Sequence, residues 1–127
     1  MAFMLKIRWD IKDGKVAGFK SNQETLCAVM QEHPGVICYL VDYPSEGVSE
    51  WVEIYASDDV FRAHLANEKG QAPLGALIEA CDKIECRCFG DPDAASREIL
   101  KGFGCTYHDI PPASFVLHPR ADKDSVV

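Results

Sequence analysis

Apolar and polar residues alternate over residues 4–11. Leu5, Ile7, Trp9 and Ile11 fall on one side, and Lys6, Arg8 and Asp10 on the other. A period of two predicts a half-buried β-strand. After Asp13-Gly14 the spacing changes. Val16, Phe19, Leu26, Cys27 and Met30 recur at helical intervals, which predicts an amphipathic helix ending near His33 and stopped by Pro34-Gly35. Asp13-Gly14 also suits a hairpin turn followed by a shorter helix capped by Ser21 and Glu24, but the longer helix is preferred. Residues 36–43 are nearly all apolar and β-prone, as in a strand covered on both faces. Pro44-Ser45-Glu46-Gly47 turns the chain, and residues 48–56 return as the second strand of an antiparallel hairpin. On it Trp51, Glu53 and Tyr55 share one face, and Val52 and Ile54 the other.

Ser57-Asp58-Asp59 is a helix N-cap sequence, and Val60, Phe61, His64 and Leu65 make one face of the helix that follows. Gly70 is expected to interrupt. A further helix is expected from Pro73, with Leu74, Leu77, Ile78 and Cys81 on one face. Residues 84–89 alternate as another strand, and Gly90-Asp91-Pro92 ends it and leads into a short helix reaching about Leu100. Thr106 to Ile110 and Ser114 to His118 read as extended edge segments separated by Pro111-Pro112. Residues 121–127 read as a loose tail. The order β-α-β-β-α(α)-β is that of an α+β, ferredoxin-like split β-α-β sheet with its helices on one face. Residues 1–90 form the core unit, and 91–127 a C-terminal helix and extended appendix of the same domain. The uncovered sheet face carries too much apolar surface for water, so a homodimer is expected.

Composition removes several classes. The 127 residues carry 13 Lys+Arg and 20 Asp+Glu, a net charge of −7, which speaks against nucleic-acid binding and against a basic membrane-surface module. No apolar run approaches the ~20 residues of a membrane span. The apolar opening of the chain is too short for a signal-peptide core, so a cytoplasmic location is expected. Six cysteines, none in a CxxC pair, then read as reduced thiols. Cys81, Cys86 and Cys88, with Cys105 and His108 beyond, lack the paired spacing of a zinc site, and a metal-bound form ranks a distant third among the functional readings.

His64 is the leading candidate for acid–base work. It lies on the apolar helix face, and its ordinary pKa is near neutral. The alternative is a core histidine held by one hydrogen bond. Glu53 stands mid-strand between apolar neighbours and needs a partner or a proton there. It either orients His64, binds a substrate hydroxyl, or joins a salt bridge between subunits. Trp51 and Tyr55 share its face, and with Phe61 and Trp9 they could wall a site for a flat aromatic ligand or simply pack. Tyr39 carries the same ambiguity. Arg8 could steady a substrate anion or pair across strands.

The stretch Glu53-Ile54-Tyr55-Ala56-Ser57-Asp58-Asp59-Val60-Phe61-Arg62-Ala63-His64-Leu65, with His33-Pro34-Gly35-Val36 before the second strand, resembles the antibiotic-biosynthesis-monooxygenase-like family over about residues 3–90. The resemblance implies a dimeric α/β barrel with a cavity between sheet and helices in each subunit. Some relatives oxidise phenolic, hydroquinone or anthrone-like substrates with O₂ and no metal or flavin, so the leading expectation is a cofactor-independent monooxygenase acting on a small aromatic, quinol or polyketide-like substrate, with His64 as base and Glu53 as its orienter or partner. Haem-degrading relatives use an Asn on the first strand and a Trp…His pair. Here that strand has no Asn, His64 stands at the Trp position, and Leu74 falls near the His position. The rival expectation is a non-catalytic ligand-binding or interaction module on the same dimer.

Overall fold

The computed structural model describes residues 2–109. The expected extended segment at 114–118, with His118, and the tail from 121 lie outside them. The elements are β1 (Phe3–Ile11), α1 (Val16–Gln31), β2 (Val36–Ser45), β3 (Val48–Tyr55), α2 (Asp58–Ala66), α3 (Glu68–Glu79), β4 (Cys81–Phe89), α4 (Ala94–Gly102) and β5 (Thr106–His108). One sheet has the order β2-β3-β1-β4-β5. The first four strands are the antiparallel ferredoxin-like set. β5 adds to its edge parallel to β4. Among the described residues, no helix is long and apolar enough to cross a membrane.

The alternation on β1 and β3 sets the inner face of the sheet. Pairing places Leu5 opposite Glu53 and Ile7 opposite Trp51, so the odd-numbered residues of both strands meet the helices. Two core clusters result. Phe3, Leu5, Tyr55, Cys86 and Cys88 pack with Phe61 of α2 and Leu100 of α4. Trp9, Ile11 and Trp51 pack with Phe19, Leu26 and Met30 of α1 and Leu77 of α3. On the outer face Leu40 is 59% exposed. Charged pairs such as Arg8–Glu50 (3.6 Å) and Lys83–Glu85 (2.7 Å) lie on the same face.

The third helix departs from the sequence reading. Asn67 caps it, accepting from the Lys69 amide, and it runs through both Gly70 and Pro73. Gly70 is a packing point, not a break: a Cβ there would lie 3.3 Å from Leu26 Cδ1, so a bare backbone lets α3 close on α1. Pro73 is buried inside the helix past its first turn, so the Lys69 carbonyl loses its amide donor there and packing holds the helix through it. α1 is the longer helix, ending at Gln31.

α4 is tied to α2 by a polar clamp. The Arg62 guanidinium donates to both Asp93 oxygens (2.7 and 2.9 Å), to Ser96 Oγ (3.0 Å) and to Asp59 (2.9 Å). Asp93 in turn caps α4 through the Ser96 amide at 2.8 Å. The clamp fixes where Leu100 and the residue after the helix, Phe103, meet the sheet.

Gly35 opens β2 with φ +85°, and an added Cβ would collide with the Val60 side chain of α2. Gly35→Ala should therefore destabilise by about 2–3 kcal/mol, from left-handed strain and overpacking together. Gly35→Ala/Val60→Ala should lose clearly less than the sum of the two single losses, measured by urea unfolding.

Candidate functional site

Glu53 points inward because the period of β3 puts it between Trp51 and Tyr55 on the buried face. Its cross-strand neighbours are Leu5 and Tyr39. It is 3% exposed. The Tyr55 hydroxyl, two residues on and on the same face, donates to Glu53 Oε1. Burial pushes the Glu53 carboxyl up to about 7 against the opposing effect of that hydrogen bond. Burial, and then the nearby carboxylate, hold the Tyr55 phenol well above its usual range.

His64 lies in the last turn of α2 and is 4% exposed. Its ring stacks on Tyr55 (centroids 5.6 Å, planes 25° apart) and meets Tyr39 edge-on at 5.7 Å. His33 approaches it edge-on at 6.3 Å. Burial, with a smaller contribution from His33, lowers the His64 imidazole to about 4. The expected near-neutral titration is thus displaced, and the ring is neutral at pH 7. Among the described residues, its Nδ1 is buried without a hydrogen-bond partner, and so is the indole Nε1 of Trp9. Trp51, by contrast, donates its indole N–H to Ser49 Oγ at 2.8 Å. A buried polar group left unpaired is costly.

These groups border one cavity of about 40 Å³. Leu5, Ile7, Trp9, Tyr39, Glu53 and Tyr55 supply its sheet wall, and Phe61, His64, Leu65 and Leu74 its helix wall. Leu100 and Phe103 close the far end. Both residues with an unpaired atom are in this wall. The space suits a few waters or a dioxygen molecule. Half-buried Phe103 and Ile84 line both this cavity and a surface groove with Ile78 and Lys83, so the two side chains stand between cavity and solvent there.

Of the residues singled out by sequence, Glu53, Tyr55, Phe61, His64 and Trp9 are brought together. Trp51 stands behind them, packed on Trp9 (5.0 Å) and Tyr39 (5.5 Å), and does not line the cavity. Arg8 lies on the outer face, paired with Asp10 and Glu50, away from the cavity. Glu53 and His64 share Tyr55 instead of a direct hydrogen bond. Sequence reasoning missed Leu74, Cys86, Leu100 and Phe103 as wall residues, and His33 as the neighbour of His64. Among the described residues, no group of three or more His, Cys, Asp and Glu side chains is arranged to hold a metal ion.

No protein-family model and no curated protein matches the chain by sequence. Solved structures do match. A provisionally named antibiotic biosynthesis monooxygenase from Caulobacter crescentus superposes with a TM-score of 0.63 at 21% identity, covering 72% of this chain and 91% of its own. SnoaB from Streptomyces nogalater, a cofactor-independent oxygenase seen as its N63A mutant, gives 0.60 at 17%, covering 73% and 95%. The chain has the fold of the antibiotic-biosynthesis-monooxygenase-like proteins. MupZ from Pseudomonas fluorescens gives 0.62 at 13% identity, with 99% of this chain and 98% of its own covered.

The two displaced titrations act oppositely on stability. Glu53 holds its proton more tightly folded than unfolded, so its contribution is full below pH ~4.5 and is lost as pH rises through about 7. His64 holds its proton less tightly folded, so its contribution is present above pH ~6.5 and is lost as pH falls through about 4. Relative to the parent, Glu53→Gln should gain roughly 3 kcal/mol between pH 4.5 and 7. His64→Gln should show the opposite slope between pH 4 and 6.5. Urea-unfolding midpoints across that range check both.

Proposed function

We propose that the chain is a cofactor-independent oxygenase acting with O₂ on a small aromatic substrate with an acidic C–H or O–H, of the quinol or anthrone kind. One observation carries the reading. An otherwise apolar cavity holds a carboxyl group poised near neutrality beside two buried polar groups that have no partner among the described residues. A ligand with polar groups on an aromatic frame would satisfy both unpaired atoms while its rings meet Tyr39, Tyr55 and Phe61.

The chemistry needs a base, a dry cavity and oxygen. In our reading Glu53 takes the substrate proton, because a base titrating near the working pH is the best matched. Tyr55 holds the carboxylate through its hydroxyl. His64, neutral, is the second catalytic group and hydrogen-bonds the substrate oxygen. The resulting anion supplies the electrons to O₂. One oxygen atom enters the substrate as a carbonyl, and the other leaves as water. The fold shared with SnoaB supports this reading. A whole ring needs more room than the cavity offers, so Phe103 swings aside on binding. Trp9 and Phe61 hold the ring. A second subunit would cover the apolar part of the outer face around Leu40.

Oxygen uptake with hydroquinones and anthrones tests the proposal. The parent should consume one O₂ per substrate, with a rate that rises with pH and levels off above about 7. Glu53→Gln should lower kcat by roughly 100-fold or more and abolish that rise. Phe103→Ala should raise kcat/KM most for the bulkier substrates. Tight binding of these compounds without oxygen consumption would establish the rival, a ligand-binding module.

A further inference from the structure

Cys86 and Cys105 are brought together by the part of the chain beyond the ferredoxin-like core. β5 runs parallel to β4, with Arg87 opposite Thr106 and Cys88 opposite Tyr107. One residue before the first pair stand Cys86 and Cys105, and Cys105 packs against the core cluster that contains Cys86. Thr106 Oγ1 to the Cys86 carbonyl (3.5 Å) and the Cys105 amide to the Leu100 carbonyl (3.2 Å) hold the two backbones in place. Neighbouring strands lie ~4.8 Å apart, within the Cα separations a disulfide spans. Cys86 is 4% exposed and lines the cavity, while Cys105 is half-buried and packs against the cluster containing Cys86. The thiols act on each other. Contact with Cys86 lowers the Cys105 thiol, and contact with Cys105, together with burial, raises that of Cys86. One partner is thus biased toward the thiolate, the form that attacks.

We propose that Cys86 and Cys105 are a peroxide-reactive thiol pair that closes to a disulfide, locking the segment that carries Phe103 over the cavity. The Cys105 thiolate attacks one peroxide oxygen. The O–O bond breaks, an S–O bond forms, and the departing hydroxide or alkoxide takes up a proton as water or alcohol. Cys86 then attacks the sulfenyl sulfur. The S–S bond forms, the S–O bond breaks, and the leaving hydroxide takes the Cys86 proton as water. Two thiols give up two electrons, and one peroxide is reduced. The link encloses α4, and Phe103 stands two residues before Cys105.

The full-length reduced protein is treated with one equivalent of hydrogen peroxide, blocked with N-ethylmaleimide and digested with trypsin. Cleavage at Arg87 puts Cys86 and Cys88 in separate peptides. The expected product is a Cys86–Cys105 linked peptide, formed at least tenfold faster than oxidation of any other cysteine. It should persist in Cys88→Ser and vanish in Cys86→Ser and Cys105→Ser. The oxidised protein should unfold at higher urea than the reduced one. A Cys88–Cys105 link, oxidation scattered over the other cysteines, Cys105 stalled as a sulfinic acid, or no reaction overturns the proposal. None of these outcomes depends on oxygenase activity, so failure here leaves the oxygenase reading standing, and the reverse holds.

Discussion

The Glu53 carboxyl is buried in the middle of an apolar sheet face with the Tyr55 phenol as its hydrogen-bond partner. A charge in that position is expensive, and a proton relieves it. The carboxyl is therefore balanced between two states close to neutral pH. Tyr55 couples it to the rest of the site, because the same ring that donates to Glu53 also stacks on His64. The aromatic neighbours that exclude water from the carboxyl also exclude it from the imidazole. One burial event thus raises an acid and lowers a base within a single cavity.

Holding that arrangement requires a closed end. α2 brings His64 and Phe61 over the sheet, and its Arg62 clamps the start of α4 through Asp93 and Ser96. α4 then delivers Leu100 into the core and Phe103 to the boundary with solvent. The segment after β4 is part of the cavity's construction. Its pairing with β4 also brings Cys105 against the cluster that contains Cys86. The polar clamp and the sulfur pair act on opposite ends of the same short helix and its exit.

Much of this was legible in the sequence. The strict alternation of β1 and β3 identified their inner faces, and so the company of Glu53, because a period of two leaves little freedom once one face is apolar. The α2 cap at Ser57 was equally readable, since its side chain accepts from the Val60 amide as the residue types suggest. β2 was not. Nearly every residue there is apolar, and bulges between Val36 and Cys38 and between Asp42 and Ser45 shift its register, so nothing local marks Tyr39 as inward-facing. Gly70 misled for a related reason: local propensity reads as a break what tertiary packing uses as a close contact. Arg8 and Trp51 show the remaining gap. Residue type suggested binding, but pairing register and a second aromatic layer decide which side chains reach the cavity.

Burial leaves Glu53 with a proton exchangeable near neutrality inside a folded apolar cavity. Difference infrared spectroscopy, comparing the parent with Glu53→Gln across pH, reads that carboxyl directly through the C=O stretch of its protonated form. One protonated-carboxyl band, absent from the variant, should fade with an apparent pKa of about 7. A band already lost near pH 4.5, as for a carboxyl in water, would contradict it.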